Sequence, residues 1–282
     1  MKKLSCLLIG ANGNLGAAIR RTESFDITCV TRQNWSELRK NLTGDFDLII
    51  FAAGAITLNP AKEPLNYVDS NLRALADVLD WLAPHCKPKI FFISSAAVYG
   101  NSISTVESTS TAPVSINGVA KMFGEMLLKA FCDDRGLDFV CFRVFNIFGG
   151  DDRFSVLHHI RKAALSGKPF VMNNQGRAYR DFVHVDDVAN VLVKLAAIAE
   201  LPRYLNIGTG VATRISDIAD TFIRYVPSLK IENRNNFEAE YSRADTGLLQ
   251  RFYSSPFLSL LDQVPEFANS VNLRLQNSQG LA

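Results

Sequence analysis

Short apolar segments alternate with longer segments of helical periodicity along the first half of the chain. Five apolar segments, at residues 4–9, 26–31, 46–52, 89–94 and 138–144, have the length of a strand. They lack the polar alternation of a half-exposed sheet, so we expect strands that are covered on both faces. Alternating strands and helices predict an α/β fold with a doubly wound, parallel Rossmann sheet and right-handed crossovers.

Helical spacing of apolar residues is clearest in three segments. Residues 68–82 and 119–131 each place their apolar side chains on one helical face, and Pro84 is expected to stop the first of these helices. A further helix is predicted at 185–200, where two early aspartates favour the positive end of the helix dipole.

The alternation stops after about residue 150. A loop at 149–152 precedes a predicted helix at 156–166, and residues 168–181 are polar and irregular. Such a segment suits a smaller lobe over the carboxyl edge of the sheet, where open α/β sheets bind ligands. The expected division is a dinucleotide-binding Rossmann domain at 1–150, to which 180–207 contribute, and a smaller, discontinuous substrate-binding lobe at 151–179 and 208–282.

Composition and charge narrow the classes of function. The formal net charge of the 282-residue chain is +2 and no block of basic residues stands out, so we expect neither a nucleic acid nor a membrane as a partner. No apolar run reaches the length of a membrane span. The five cysteines have no metal-ligand spacing, which indicates buried thiols, no metal site and a cytoplasmic protein.

The first apolar segment ends in a G-x-x-G-x-x-G sequence. Glycines at this spacing allow a tight turn and let backbone N–H groups approach a pyrophosphate at the N-terminus of the next helix. The alternative is a glycine-rich turn that binds nothing. Because the loop follows an apolar strand and opens a helix, we predict a dinucleotide site. Its predicted loop residues are Gly10, Asn12, Gly13, Asn14, Leu15 and Gly16.

The second strand ends in Val30-Thr31-Arg32, without the acidic residue that would accept a hydrogen bond from the ribose 2′-hydroxyl of NAD. A guanidinium matches a phosphate in geometry and charge, so Arg32 favours NADP as the cofactor, with NAD as the second choice. Thr31 and Arg32 are therefore predicted to bind the cofactor. The alternative for Arg32 is a solvated side chain in a loop.

Further segments occur in an order that is typical of one enzyme family. They are FAAG at 51–54, Asn71, SSAAVYG at 94–100, RVFNIFG at 143–149, RDFVHVDDVA at 180–189 and NIGTG at 206–210. Together they resemble the nucleotide-sugar epimerase, dehydratase and reductase branch of the extended short-chain dehydrogenase/reductase superfamily. The resemblance extends from residue 5 to about residue 215.

This resemblance implies an NADP- or NAD-dependent reductase or epimerase that acts on C4 of a nucleotide-linked sugar, in the synthesis of polysaccharide precursors. The short stretch between the second and third strands is more similar to 4-keto-sugar reductases than to 4-epimerases. Members of the family often form homodimers through a four-helix bundle, which helices 72–82 and 119–131 would supply here. Packing of the same helices against the sheet is the alternative.

The resemblance also implies roles for residues at two strand ends. It places Ala52, Ala53 and Gly54 against the cofactor and the Ser95 hydroxyl at the reacting oxygen of the substrate. Ser95 ends a buried strand at the carboxyl edge, where a hydroxyl can reach a bound ketone or alcohol. A serine that only bonds to neighbouring backbone is the alternative.

Two polar residues at the edges of apolar runs are implied to bind the substrate. The resemblance directs Asn146 and Arg180 to the nucleotide diphosphate or the sugar, and an arginine suits bidentate contact with a phosphate. For Arg180 the alternative is an ion pair with Asp181 or Asp186. Arg234, in a segment that resembles nothing further, is a candidate phosphate contact, with Arg243 as the alternative.

One position departs from the family pattern. The chemistry of the family uses Tyr-x-x-x-Lys, in which the tyrosine exchanges a proton with the substrate and the lysine lowers the pKa of the tyrosine. In the segment 113–121, Lys121 is in place but Asn117 stands at the tyrosine position. The predicted catalytic residues are therefore Ser95, Asn117 and Lys121. Because the helix carries its apolar stripe on the opposite side, two solvated polar residues are the alternative.

Asparagine has no titratable proton and cannot act as the general acid. Three explanations follow. The chain is a natural enzyme whose proton comes from Ser95, Ser115, another side chain or a relayed water; it is a non-catalytic relative that binds the dinucleotide or the nucleotide sugar; or it is an engineered inactive variant. Loss of general acid–base help costs about 10²–10⁴ in rate, so diminished activity is compatible with the sequence.

Overall fold

The computed structural model of the protein describes residues 2–42, 45–54, 67–82, 86–102, 105–236 and 240–279. The strands are β1 (Ser5–Ile9), β2 (Asp26–Val30), β3 (Leu48–Phe51), β4 (Lys89–Ser95), β5 (Phe139–Val144), β6 (Asn146–Phe148), β7 (Phe170–Asn173), β8 (Tyr179–His184), β9 (Tyr204–Ile207), β10 (Ala212–Arg214), β11 (Ile231–Arg234) and β12 (Tyr241–Ser242). The α-helices are α1 (Asn14–Arg21), α2 (Trp35–Asn41), α3 (Ala74–Trp81), α4 (Ile116–Arg135), α5 (Val156–Ser166), α6 (Val185–Ala196), α7 (Ile215–Tyr225) and α8 (Leu260–Gln279). A π-helical segment (Val68–Arg73) leads into α3, and a 3₁₀ turn (Ala96–Tyr99) follows β4.

The central sheet has six parallel strands in the order β2-β1-β3-β4-β5-β9. All five strands predicted from the sequence lie in it, so the predicted α/β Rossmann architecture is confirmed. The strand order reverses at β1, and such a reversal opens a crevice at the carboxyl ends of the strands. One expectation is wrong: β2 lies at the edge and only its last residue, Val30, is buried, because the strand has a single neighbour.

Helices cover both faces of this sheet. On one face α1 and α6 contribute Ile19 and Leu192 to the core, and on the other face α3 and α4 contribute Leu79 and Leu128. These four side chains are almost completely buried. Burying a large aliphatic side chain contributes about 1.5–3 kcal/mol, so these contacts fix the layers that present the carboxyl edge of the sheet.

The lobe beyond the central sheet has its own core. β7 pairs with β11, and a second sheet joins β10, β8 and β12, with β6 beside β8. Helices α5, α7 and α8 pack together around residues that include Ile160 and Phe222. The segment 168–181, which was expected to be irregular, contains β7 and the start of β8. In β7, exposed Val171 and half-buried Asn173 alternate with buried Phe170 and Met172, as in a strand with one exposed face.

Helix α4 turns its apolar face away from the sheet. Its apolar residues Val119, Phe123 and Met126 are 37%, 49% and 57% exposed, whereas Lys121 and Glu125 are buried. The alternative in which this helix packs its apolar face on the sheet is therefore wrong. We call the exposed residues Val119, Phe123, Met126 and Leu127 the apolar stripe of α4.

The predicted helix at 68–82 begins with a π-helical segment. The wider π turn changes which side chains point inward, so that Ser70 and Asn71 are buried while Val68 is 43% exposed. The expectation that Val68 belongs to the packed face is therefore wrong. Pro84, the predicted stop of the helix, lies outside the described residues.

Candidate functional site

The glycine-rich loop after β1 has no room for side chains. Gly10 has φ = +88°, and a Cβ on it would lie 2.7 Å from the backbone nitrogen of Ala53 at the end of β3. A Cβ on Gly16 would overlap the Gly10 carbonyl oxygen. Gly13, which precedes α1, supplies no side-chain cap, so the first N–H groups of the helix remain available to an anion. This cradle fits the pyrophosphate of a dinucleotide.

Asn14, the first residue of α1, connects this loop to the lobe. Its amide nitrogen donates to the Gly149 carbonyl at 2.9 Å, and its amide oxygen accepts from the Asp151 backbone N–H at 2.8 Å. The side chain therefore holds the loop after β6 in place. Of the other predicted loop residues, Asn12 is exposed and Leu15 is buried in the core.

At the end of β2, Thr31 and Arg32 lie beside the same edge of the sheet. The Arg32 Nη2 donates to the Ser70 hydroxyl at 3.0 Å, which links the end of β2 to the π-helical segment. The Thr31 backbone N–H donates to the Asn34 amide oxygen at 2.7 Å. Arg32 thus has a protein partner, although most of its surface is exposed.

Lys121 is 8% exposed and reaches the end of β3. Its Nζ donates to the Ala53 carbonyl at 3.3 Å and lies 5.3 Å from the centre of the Phe92 ring. A Cβ on Gly54 would lie 2.9 Å from both this Nζ and the Asn71 Oδ1. The lysine, Asn71 and the end of β3 therefore converge around Gly54. Burial lowers the pKa of the Lys121 ammonium to about 8, while the charge of Glu125 raises it.

Asn117 lies one helical turn before Lys121, on the same face of α4. Its Oδ1 is buried and has no hydrogen-bond partner among the described residues. Two glycines explain this orientation, because a Cβ on Gly118 would overlap the Ala97 carbonyl oxygen and one on Gly124 would lie 2.6 Å from the Phe92 ring. The alternative of two solvated polar residues is therefore wrong for Lys121, which is buried.

Two serines near this helix cap backbone groups. The Ser95 Oγ accepts from the Ala97 backbone N–H at 3.2 Å and starts the 3₁₀ turn after β4. The Ser115 Oγ accepts from the Gly118 backbone N–H at 3.1 Å and caps α4. The backbone-bonding alternative for Ser95 is thus present in the structure. A hydroxyl that accepts one hydrogen bond still has its own proton to donate.

The two residues implied to bind substrate lie on the paired strands β6 and β8, whereas Arg234 lies elsewhere. The Asn146 amide on β6 donates to the Asp181 carbonyl at 2.8 Å, and the Arg180 Nη1 on β8 donates to the Tyr179 carbonyl at 2.8 Å. Arg234 lies on β11, is half exposed and pairs with Glu232 at 2.8 Å. The structure therefore brings Asn146 and Arg180 together and leaves Arg234 apart from them.

Asp181 organises the lobe around these residues. Its fully buried carboxylate accepts from the backbone N–H groups of Thr209, Gly210 and Ala244 and from the Thr209 hydroxyl. Burial raises the pKa of Asp181, and these hydrogen bonds oppose the rise. From the sequence, Asp181 was considered only as an ion-pair partner of Arg180, so its role as an acceptor of backbone hydrogen bonds was missed.

A buried ion pair lies behind the converging residues, and sequence reasoning missed it as well. The Glu125 carboxylate accepts from the Arg143 Nη2 at 2.8 Å and from its Nε at 3.1 Å. The Ser94 hydroxyl donates to the same carboxylate. The available signal was an acidic residue one turn after Lys121 on a helix whose apolar residues lie on the other side.

The described residues contain no cluster of three or more His, Cys, Asp or Glu side chains that could hold a metal ion. In the same ranges, the structure has no helix with the length and apolar character needed to cross a membrane.

Comparisons with known proteins agree with this geometry. The profile of the "NAD dependent epimerase/dehydratase family" matches residues 6–208. The chain is 28% identical over 195 residues to a UDP-glucose 4-epimerase of Mycoplasma genitalium. The matched segment covers 60% of this chain and 57% of that protein. The chain spans about half the length of most of the curated relatives it matches.

Solved structures share the fold at low identity. A UDP-glucuronic acid 4-epimerase from Bacillus cereus, in complex with UDP-glucuronic acid and NAD, has a TM-score of 0.84 at 21% identity, over 96% of this chain and 99% of that one. RMD from Pseudomonas aeruginosa, complexed with NADPH, has a TM-score of 0.82 at 18% identity, over 96% and 98%. With the family profile matching most of the chain, the chain belongs to the NAD dependent epimerase/dehydratase family.

Proposed function

We propose that this chain is an NAD(P)-dependent enzyme that reduces or epimerises a nucleotide-linked sugar at C4. One observation carries the proposal: the end of β3, Asn71 and the buried Lys121 converge around Gly54, beside the glycine-rich loop at the carboxyl edge of the sheet. The substrate class is supported by relatives and neighbours named as UDP-sugar epimerases. We place the substrate in the lobe of residues 151–179 and 208–282.

The cofactor would lie along the ends of β1, β2 and β3. The backbone around Gly10, Gly13 and Gly16 would seat the pyrophosphate, and the Lys121 ammonium would donate to the nicotinamide ribose. The unpartnered Asn71 Oδ1 supports this placement, because a buried amide oxygen needs a donor that the described residues do not supply. When bound, the nicotinamide supplies hydride transfer.

The choice between NAD and NADP depends on Arg32. The family description and the NAD-bound neighbour do not support NADP as the first choice, while the NADPH-bound neighbour has the same fold. No carboxylate follows β2 before Glu37, so the chain offers no early acidic group to repel a 2′-phosphate. We propose that the site binds both cofactors and that a contact between Arg32 and the 2′-phosphate contributes to the affinity for NADP.

The substrate side would use Ser95, Asn146 and Arg180. The Ser95 hydroxyl would donate to the reacting oxygen, while Asn146 and Arg180 would bind the diphosphate. Asn117 has no proton to exchange, so the proton would come from Ser95 or from a water held at the Asn117 Oδ1. This position favours a second candidate function, a relative that binds the cofactor and the nucleotide sugar without reacting.

The decisive experiment measures cofactor binding and sugar chemistry on the same sample. NADH and NADPH binding is titrated by calorimetry. Turnover is then followed by nicotinamide absorbance with nucleotide 4-keto-6-deoxy sugars, and by proton NMR of the C4 configuration with UDP-glucose and UDP-glucuronic acid. We expect cofactor binding together with slow reaction of at least one sugar. Binding without any reaction would support the second candidate, and no binding of either cofactor would refute both.

We also propose a homodimer built on α3, α4 and their copies. The apolar stripe of α4 is exposed in the single chain. Contiguous exposed apolar residues on one helix face are typical of an interface. A cytoplasmic role in the synthesis of polysaccharide precursors would follow from the same substrate class.

A further inference from the structure

Glu125 and Arg143 form an ion pair that is almost completely removed from solvent. Their side chains are 4% and 6% exposed, and the guanidinium contacts both carboxylate oxygens. The Arg143 guanidinium also lies between the rings of Tyr99 and Tyr204, at 4.9 and 4.7 Å from their centres. The pair is therefore a fixed charge arrangement inside the protein and not a surface contact.

This ion pair is connected to the elements that carry two of the predicted catalytic residues, Ser95 and Lys121. The Glu125 carboxylate accepts from the hydroxyl of Ser94, which directly precedes Ser95 in β4. On α4, Glu125 lies one turn after Lys121, a spacing at which helical side chains interact. Arg143 pairs with Ser94 in the register of β4 and β5. One carboxylate thus joins the strand that ends in Ser95 to the helix that carries Lys121.

A buried ion pair is a costly way to hold elements together. Removing two charges from water can cost more free energy than their mutual attraction contributes. Well-packed apolar residues at the same positions often stabilise a protein equally well or better. Gly124, beside Glu125, already lets α4 pack closely on the Phe92 ring. We therefore infer that the charge of Glu125 has a role other than stabilising the contact between the helix and the sheet.

We propose that Glu125 is a positioning residue that keeps the Lys121 side chain charged and in place for the cofactor ribose. The uncharged side chain of Asn117 cannot supply this electrostatic contribution. This inference rests on the proposed function, because only a cofactor-binding Lys121 gives the charge a use. Arg143 contacts both carboxylate oxygens and holds the carboxylate in place.

The groups around the Lys121 ammonium are neutral apart from Glu125: the Ala53 carbonyl, the Phe92 ring of β4 and, around Gly54, Asn71 of the π-helical segment. The Glu125 carboxylate has its own neighbours, which are the Ser94 hydroxyl, the Cys141 thiol and Arg143, with Tyr99 and Tyr204 beside that guanidinium. Asp69 and Arg73 of the π-helical segment pair with each other on the surface. Burial lowers the pKa of Lys121 to about 8 and Glu125 raises it, as the geometry requires.

The test measures the titration of Lys121 directly. Protein with ¹³C-labelled lysine is titrated by NMR, and the Cε resonance of Lys121 is assigned by its loss in Lys121→Arg. We expect Glu125→Gln to lower the titration midpoint of Lys121 by about one pH unit or more. Ser94→Ala, which keeps the charge, serves as the matched control and is expected to leave the midpoint in place. The readout needs neither cofactor nor turnover, so it is independent of the sugar assays.

Leaving Arg143 unpaired in Glu125→Gln costs stability, so a second variant combines Glu125→Gln with Arg143→Gln. The midpoint of Glu125→Gln decides if that variant folds, and the midpoint of the double variant decides if it does not. A lowered midpoint in the deciding variant, with weaker NADH binding at pH values above that midpoint, supports the proposal. An unchanged midpoint there, or an equal shift in Ser94→Ala, overturns it. Failure of both variants to fold would also overturn it, because the pair would then be a structural requirement.

Discussion

The side chains of Asn117 and Lys121 lie one turn apart on the sheet-facing side of α4, where the Asn117 Oδ1 is buried without a hydrogen-bond partner among the described residues. The lysine beside it is buried and contacts the end of β3. Under the proposed function these two residues occupy the positions of the family's catalytic pair, and Asn117 has no titratable group. The first prediction restores that group.

Asn117→Tyr is expected to raise the rate of sugar reduction or epimerisation by about 10²-fold or more, because a phenol beside Lys121 supplies general acid–base catalysis. The measurement is turnover at saturating cofactor and sugar. Asn117→Phe is the matched control, since it adds a ring without the hydroxyl and should give no increase. Equal rates in the tyrosine variant and the parent chain would mean that the proton comes from another group, with Ser95 the next residue to replace.

Lys121→Met is expected to make the cofactor-free protein more stable and to weaken cofactor binding. The pKa of Lys121 is lowered by burial to about 8 from 10.5, so the unfolded chain binds this proton more tightly than the folded protein does. Since each pKa unit corresponds to about 1.4 kcal/mol, the variant should gain roughly 3 kcal/mol in the free energy of unfolding at pH 7, measured in urea.

The pH dependence of the free energy of unfolding provides a further check on the Lys121→Met variant. Where the unfolded state binds more protons, stability rises with pH. Between pH 8 and pH 10.5 the parent chain should therefore gain stability relative to Lys121→Met, and the difference between the two should close. A difference that stays constant over this range would mean that the burial of the ammonium is not its cause.

Arg32→Glu is expected to lower the affinity for NADPH by at least about tenfold, with a smaller change for NADH. The substitution removes a guanidinium that can pair with a 2′-phosphate and adds a charge that repels it. Competitive titrations of both cofactors measure the ratio. Ser70→Ala, which removes the hydroxyl that Arg32 contacts, separates the loss of that contact from the loss of charge. An unchanged ratio in Arg32→Glu would contradict the assignment of Arg32.

Replacing Phe123 and Met126 together with lysine is expected to produce monomers at concentrations where the parent chain is dimeric. Both side chains belong to the exposed apolar stripe of α4, and two charges there would have to be buried on association. Light scattering coupled to gel filtration gives the mass. Leu261→Lys on α8, where the leucine is 41% exposed, is the control and should leave the mass unchanged. A parent chain that is itself monomeric would contradict the proposed dimer.

The sequence predicted the central sheet because its strands are short and apolar, so that their burial leaves a direct trace in composition. The glycine-rich loop was predictable for a related reason, since Gly10 and Gly16 occupy positions where a Cβ would collide with backbone. In both cases a local property of the chain determines the local structure.

The sequence predicted helix α4 but left the orientation of its apolar face open, because periodicity locates an apolar face without saying what covers it. Gly118 and Gly124 decide the matter, since they allow backbone and ring contacts on the side that carries Lys121. The ion pair of Glu125 and Arg143 was missed for a similar reason: its two members are 18 residues apart on different elements, and only the packed helix and strand bring them together.

The carboxylate of Asp181 receives three backbone N–H groups and the hydroxyl of Thr209. Every residue except proline brings such an N–H group, whatever its side chain. A Cβ on Gly208 would lie 2.8 Å from the Asp181 carboxylate, which limits substitution there, but substitutions at Gly210 or Ala244 do not remove the backbone donors of this carboxylate. Side chains that line the lobe can therefore diverge while this scaffold persists, which allows a new sugar preference to arise in evolution without a new fold.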